Sequence, residues 1–263
     1  MIAETTLYTD LSGCYDLMCA HINYGEQCNQ AHRLHKLFGS GGNTFLDLAC
    51  GTGPHIEHFL RFGYAATGLD LNAPMLELAA QRCPNAHFSC QDMSEFNLEQ
   101  TFDLITCFLY SMHYSYPSAK FQATATRAYA ALNPGGVFCF DAVDKNTIAN
   151  DQGVSHEHLQ GTDLFRFQSR WFYKGEGDLL DLHLTIHKKT DATITAWQDH
   201  HSMLAMDIQT MKNLLTTIGF EVIVLKRDFS KIEGWDGQEG NVILVCTKEE
   251  EQKLGMAKHP QTL

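Results

Sequence analysis

Positive charge is scarce in this 263-residue chain: 19 Lys and Arg stand against 31 Asp and Glu, a formal net charge of −12 at pH 7 with the histidines neutral. A surface of that sign repels a phosphate backbone and an anionic lipid headgroup, so no nucleic acid and no membrane is expected as a partner. Long apolar runs are missing too. No stretch approaches eighteen uninterrupted apolar residues, and the opening MIAETTLYTDLSGCYDLM has neither the basic nor the apolar region of a secretion signal. The expectation is a cytoplasmic protein. No CxxC pair occurs among the nine cysteines, an odd number with several inside apolar runs. That leaves neither a disulfide framework nor a zinc knuckle, and the cysteines read as buried reduced thiols. Internal repeats and low-complexity segments are also absent.

What is present is enough side chain for a core: 44% apolar and 19% charged residues exclude disorder and collagen-like repeats. The length suits one large domain, or a core with a small insertion. Between Asn43 and Asp144, β-rich runs at Thr44–Leu48, Tyr64–Leu69, Ala86–Cys90, Phe102–Phe108 and Gly136–Asp141 alternate with helical patterns at Pro54–Arg61, Pro74–Arg82 and Ser118–Leu132. Such alternation predicts βαβ units and a parallel sheet covered on both faces. Asn72 is placed to cap the second of those helices, and Asn133-Pro134-Gly135-Gly136 to stop the third.

After Asp144 the period changes. Asn146–Leu159 reads as a polar connection, and Phe165–Tyr173, Leu179–Lys188 and Thr193–Met203 then alternate with period two as an antiparallel meander. A helix at Met206–Ile218 and strands at Glu221–Lys226 and Asn241–Thr247 close the chain. The expected fold is α/β: a Rossmann-like, doubly wound, mostly parallel seven-stranded sheet with the meander inserted between strands five and six. The expected divisions are an N-terminal helical lid (1–40), a core (41–145 and 205–248), the β insertion (146–204) and a flexible tail (249–263).

The segment Asp47-Leu48-Ala49-Cys50-Gly51-Thr52-Gly53-Pro54 runs from a buried strand through a glycine turn into a helix. In a parallel sheet that is where ligands bind. A dinucleotide fingerprint would want a third glycine where Ile56 stands, and would not set the carboxylate of Asp47 beside a pyrophosphate. An acid there suits a ligand with a positive group; the plainer reading is a turn or capping aspartate. Asp70, nineteen residues after Gly51, ends the next strand, where an acid can grip a ribose diol. Asp92 follows the third strand and can accept from an exocyclic adenine amine. Each acid alone could be a solvated strand end. Three at successive strand ends, with a glycine loop before the first helix, are hard to assign to chance.

These segments, with Gly68-Leu69-Asp70-Leu71-Asn72, Met75-Leu76, Gln91-Asp92-Met93 and Leu132-Asn133-Pro134-Gly135-Gly136, resemble the successive motifs of class I S-adenosylmethionine-dependent methyltransferases over residues 40–145. The resemblance implies that Asp47 and the Gly51 and Gly53 backbone hold the methionine end of S-adenosylmethionine, Asp70 its ribose, and Asp92 with Met93 its adenine. It adds Ala49, Leu71, Met75, Gln91 and Cys107 to the cofactor's surroundings, and implies S-adenosylhomocysteine as product. The early Tyr15-Asp16 and the inserted meander are similar to small-molecule N-methyltransferases, notably aminosugar N,N-dimethyltransferases. In that likeness Tyr15 reaches over the methionine portion; otherwise it is a helix residue packed on the sheet.

Leu109-Tyr110-Ser111-Met112-His113-Tyr114-Ser115-Tyr116 concentrates aromatic and hydroxyl groups after the fourth strand. It is the expected floor of an acceptor pocket, with Tyr110 and Tyr114 as substrate contacts. Methyl transfer needs a lone pair aimed at the methyl group and a way to remove a proton. His113 is the candidate catalytic base, falling where the aminosugar enzymes carry a histidine, and its plainer reading is a hydrogen-bonded loop residue. Tyr110-Ser111-Met112 replace the small residues of those enzymes, which suggests a narrower pocket.

Phe165, Phe167, Trp171 and Tyr173 share one strand face, as a roof over the site, a homodimer surface or ordinary sheet core, and Trp197 carries the same ambiguity. No metal is expected. His183 and His187 lie on a strand, about 13 Å apart, too far for one ion. His200-His201 with Asp199 would bind a metal or substrate only with partners that the sequence does not identify.

The expected function is methyl transfer from S-adenosylmethionine to a small-molecule amine, with an oxygen or carbon acceptor as runner-up. A catalytically silent cofactor-binding scaffold stays open. A nicotinamide oxidoreductase is opposed by Ile56 and Asp47, an RNA methyltransferase by the charge, and a protein acceptor by the covered pocket that the meander suggests.

Overall fold

The structure is a computed structural model that describes residues 2–4, 7 and 11–250. Its larger sheet has seven strands: β2 (Thr44–Leu48), β3 (Ala65–Asp70), β4 (His87–Cys90), β5 (Phe102–Cys107), β6 (Leu132–Val143), β11 (Glu221–Lys226) and β12 (Asn241–Thr247). They lie in the order β11-β12-β6-β5-β2-β3-β4, with β12 antiparallel to both its neighbours and the rest parallel. Both faces are covered, and the strands show it. In β6, Val137 and Cys139 face one core while Phe138 and Phe140 face the other; in β12, Ile243 and Val245 alternate in the same way with Val242, Leu244 and Cys246. Near-continuous apolar strands between two helical layers are the signature of such a sheet. One layer comprises α2 (Tyr24–Phe38) and α3 (Pro54–Arg61), the other α5 (Ser118–Ala131) and α6 (Ile208–Ile218).

The insertion is larger than the sequence suggests. β8 (Asp163–Tyr173), β9 (Leu179–Lys189) and β10 (Ile194–Leu204) form the expected meander, but β7 (Val154–Gln160) pairs with β8 and β1 (Ile2–Glu4) runs parallel to β10, making five strands. Residues 154–159 are therefore strand, not connection. Polar composition hid β7 because it is an edge, with Val154 and Leu159 exposed. The first forty residues are likewise not all lid: Cys28, Ala31 and Leu34 of α2 are buried against Phe45 and Phe59, so only α1 (Ser12–Met18) stands beside the second sheet. The tail beyond 250 lies outside the described residues. Among them no helix is long and apolar enough to cross a membrane.

Phe165, Phe167 and Tyr173 are buried in the core of the second sheet with Leu180 and Leu182, and Trp171 and Trp197 pack against it. Phe167 and Trp171 also line a cavity of about 530 Å³ between the two sheets, so this face is both core and roof.

Candidate active site

The site begins where β2 ends. Ala49 (φ 54°), Gly51 (φ 54°) and Gly53 (φ 81°) take left-handed backbone conformations before Pro54 opens α3. For Ala49 this is strained, and such strain concentrates at ligand sites. Gly53 lacks a side chain for a second reason: a Cβ there would lie 3.2 Å from that of Ala79 on α4 (Ala73–Arg82). Ile56, in the place of a third glycine, is wholly buried beneath the helix.

Asp70 closes the loop from the neighbouring strand. Its Oδ2 accepts the Gly51 amide at 2.9 Å, its Oδ1 the Asn72 amide at 2.9 Å and the Asn72 side chain at 3.2 Å. Asn72 thus starts α4 by position, while its side chain turns back to Asp70 and makes no cap bond. Burial raises the Asp70 pKa against the pull of those donors. These donors take three of the carboxylate's four lone-pair sites, both on Oδ1 and one on Oδ2, so one site on Oδ2 remains for a ribose hydroxyl.

Asp47 is 1% exposed. Its Oδ1 accepts the Thr106 hydroxyl at 2.6 Å, and His55 Nδ1 stands 3.5 Å from Oδ2, beyond good hydrogen-bond geometry. Oδ2 therefore has no hydrogen-bond partner. A buried carboxylate oxygen left open is costly unless a cation completes it. Asp47, Ala49 and Tyr15 line one recess with His55, and Tyr15, Leu109 and Ser111 line both this recess and the larger cavity.

The loop after β4 carries the third acid. The Gln91 amide donates to the Asp70 carbonyl, and the Gln91 side chain braces the loop through Ser89 Oγ and the Asn97 amide. Asp92 accepts the amide and hydroxyl of Ser94, both at 2.8 Å, and pairs with Lys120 at 2.8 Å. Partial burial works against its charge, but Lys120 and Ser94 together hold its pKa below the usual value. Met93 is mostly buried, Leu71 is 63% exposed, and Met75 and Cys107 are fully buried, so these last two can shape the site only through packing.

Tyr15 is held over Gly51, whose absent Cβ would sit 3.6 Å from the Tyr15 ring. The fastening is a clamp that sequence reading missed. Thr52 Oγ1 donates to Asp16 at 2.5 Å, and Arg82 donates to the Thr52 carbonyl and hydroxyl at 2.9 and 3.0 Å while pairing with the Asp16 carboxylate. Sixty-six residues separate Asp16 from Arg82, and no local pattern joins them.

Beside the larger cavity, Leu109 and Tyr110 both have φ 59°, a strained turn that the Tyr110 amide fixes by donating to Asp141 Oδ1 at 2.8 Å. Asp141 is fully buried and paired with Arg227 at 2.8 Å, whose guanidinium lies over the rings of Tyr110 and Phe229. This pair was also missed; an acid inside the apolar run Val137–Val143 was its signal, since such a charge demands a partner. Burial pushes the Tyr110 phenol up to about 12. Tyr110 and Tyr114 both line the large cavity.

His113 does not behave as expected. It is 1% exposed, its Nδ1 donates to the Leu204 carbonyl at 2.6 Å, and its Nε2 accepts the Val143 amide at 3.1 Å. Those partners fix a neutral ring with both nitrogens engaged, and burial lowers its pKa. In this arrangement no lone pair is left to take a proton from a substrate; the sequence reading of a base at His113 is corrected to a tie between β6 and the end of β10.

Residues 45–136 match a protein family described as a methyltransferase domain. The chain is 27% identical over 181 residues, 68% of its length and 70% of the relative's, to the dTDP-3-amino-3,6-dideoxy-alpha-D-glucopyranose N,N-dimethyltransferase of Streptomyces fradiae. Its fold superposes on the sugar N-methyltransferase KedS8 from a Streptoalloteichus species with a TM-score of 0.79 at 20% identity, covering 95% of this chain and 99% of that one. The amino pentose methyltransferase CalS10 from Micromonospora echinaspora, solved with SAM bound, gives 0.74 at 21% identity, covering 94% and 100%.

Proposed function

We propose that this chain, an S-adenosylmethionine-dependent methyltransferase, methylates the amine nitrogen of a small molecule. The observation that carries the reading is the open, buried Asp47 Oδ2 beside the glycine turn. It fits a donor that brings an ammonium and a sulfonium but no phosphate. Asp47, Ala49 and the Gly51–Gly53 backbone would hold the methionine portion under Tyr15, Asp70 the ribose, and Asp92 with Leu71 and Met93 the adenine. When bound, that donor supplies an electrophilic methyl group.

The acceptor side supports a compact substrate. The cavity of about 530 Å³ is in the range of small-molecule sites, and Tyr15, Leu109 and Ser111 line both it and the donor recess. The dTDP-aminosugar named for the Streptomyces fradiae relative is the first acceptor to try. The −12 charge disfavours a nucleic acid as acceptor. As for assembly, the exposed edge strand β7 is where a second copy would add to the sheet.

Parallel calorimetric titrations with S-adenosylmethionine, S-adenosylhomocysteine and NADH test the donor. Binding of the first two alone is the expected result; binding of NADH alone would overturn the assignment. Mass spectrometry of dTDP-3-amino-3,6-dideoxyglucose incubated with enzyme and donor then tests the acceptor class.

A further inference from the structure

A line of polar groups runs inward from the acceptor cavity. Tyr114 lines the cavity, and its hydroxyl lies 2.9 Å from His201 Nδ1. His201 Nε2 lies 3.0 Å from Asp199 Oδ2, and Asp199 is itself fixed by the Leu7 amide, which donates to the same oxygen at 2.6 Å. The His201 and Asp199 side chains are only 10% and 15% exposed. Both sit two residues apart on β10, on the face that continues to buried Met203, and the position facing His201 across the sheet is Leu182. Two titratable groups set against the imidazole are Tyr114, from the short 3-10 turn Ser111–Tyr114, and Asp199, on its own strand.

The directions of the hydrogen bonds follow from chemistry. A carboxylate only accepts, so Nε2 carries the hydrogen facing Asp199. In the neutral ring Nδ1 then presents its lone pair, and Tyr114 must donate into it. A donor hydroxyl oriented by an imidazole that is oriented by a carboxylate is the arrangement by which proteins activate a hydroxyl for proton transfer. It occupies the place left open by His113, whose two nitrogens are engaged elsewhere.

We propose that Tyr114, His201 and Asp199 form a proton relay that deprotonates the acceptor ammonium before methyl transfer. The inference rests on the reading of the chain as an amine methyltransferase. Tyr114 is the catalytic residue; His201 and Asp199 are positioning residues that receive and stabilise the proton. One N–H bond of the ammonium breaks, its proton bonding to the Tyr114 oxygen as the Tyr114 O–H proton passes to His201 Nδ1. The products are a neutral amine with a free lone pair and an imidazolium paired with Asp199, with charge conserved. The amine lone pair forms the new N–C bond while the C–S electron pair of the donor stays on sulfur, and the imidazolium later returns its proton to solvent.

The test uses the full chain with S-adenosylmethionine and dTDP-3-amino-3,6-dideoxyglucose, comparing wild type with Tyr114→Phe, His201→Gln and Asp199→Asn across pH. Tyr114→Phe is expected to lower kcat roughly 10²- to 10³-fold with the affinity for S-adenosylmethionine unchanged. The wild-type fall in kcat on acidification should be lost in His201→Gln, a change that a merely structural role would not produce. Unchanged kcat and pH profile in Tyr114→Phe would overturn the relay and leave the methyltransferase reading standing. Failure of wild type to methylate the probe while binding the donor would overturn the amine reading, and the relay's task with it. A second readout needs no turnover: long-range 1H–15N spectra should show His201 protonated at Nε2, with the Nδ1 resonance shifting in Tyr114→Phe. A ring protonated at Nδ1 instead overturns the relay.

Discussion

The carboxylate of Asp70 accepts the amide hydrogen of Gly51 at 2.9 Å, so the acid at the end of β3 holds the turn that leaves β2. On the proposed reading one group has two tasks, organising the loop in the free protein and meeting the ribose in the complex, so that loop and ribose site would be built together.

Substituting Asp70 should separate these tasks. Asp70→Ala leaves the Gly51 and Asn72 amides without their acceptor, for a loss of roughly 1–3 kcal/mol in stability. Asp70→Asn keeps an oxygen for one amide but removes the charge, and should weaken S-adenosylmethionine by about 2 kcal/mol, roughly thirtyfold in Kd. Burial raises this carboxyl's pKa, so it takes up a proton at higher pH than an exposed aspartate as the solution is acidified. Donor affinity should fall with it, and that slope should vanish in Asp70→Asn. Calorimetry at several pH values checks both; an unaltered Kd in Asp70→Asn would remove the ribose assignment.

Arg82 offers a test of how α1 is held. This seven-residue helix contains no fully buried residue, and the clamp through Thr52 and Asp16 ties it to the glycine turn beside the packing of Cys14, Tyr15, Leu17 and Met18 on the second sheet. The Arg82 and Asp16 side chains are 27% and 45% exposed, which limits their ion pair to about 0.5–1 kcal/mol of global stability. The local effect should be clearer. Arg82→Ala should speed amide exchange across residues 12–18 and donor dissociation several-fold, and Arg82→Lys should not restore it, because an ammonium cannot copy the fork that spans Thr52 and Asp16. Exchange in α1 indistinguishable from wild type would show the clamp to be incidental.

The parts of this site that are local in sequence could be read from it. The turn Ala49–Gly53, the acids Asp47, Asp70 and Asp92 and the aromatic loop 109–116 each lie at or just after the end of a strand. The parts that depend on distant segments of the chain meeting could not. Tyr114 and His201 are 87 residues apart, Arg227 and Asp141 86, and nothing near either member names the other. β7 was missed because its ladder is formed against β8, not by its own side chains, and β1 because three residues carry too short a pattern. His113 shows a different limit. An aromatic loop can present a histidine or bury it, and only the register of Leu204 and Val143 around the ring decides.

That burial of His113 has a consequence for stability. Its folded pKa lies below the ordinary histidine value, mainly through desolvation, and His35 is lowered for the same first reason. On acidification the unfolded chain takes up a proton near the ordinary value of about 6.5 before the folded chain does, so the unfolded state binds more protons and stability declines. The contribution is complete above the unfolded pKa and is lost progressively as pH falls from there toward the lower folded pKa. Denaturant titrations from pH 7.5 to 5 should show that decline, reduced in His113→Gln, which retains one donor and one acceptor. His113→Ala strands the Leu204 carbonyl and Val143 amide and leaves a void, for a loss of about 2–4 kcal/mol. At a temperature where it is folded, His113→Gln should keep kcat within about threefold of wild type, whereas a general base would forfeit 10²-fold or more. A collapse of kcat in folded His113→Gln, with the acid limb of the pH profile gone, would return the base to His113 and take it from the Tyr114 relay.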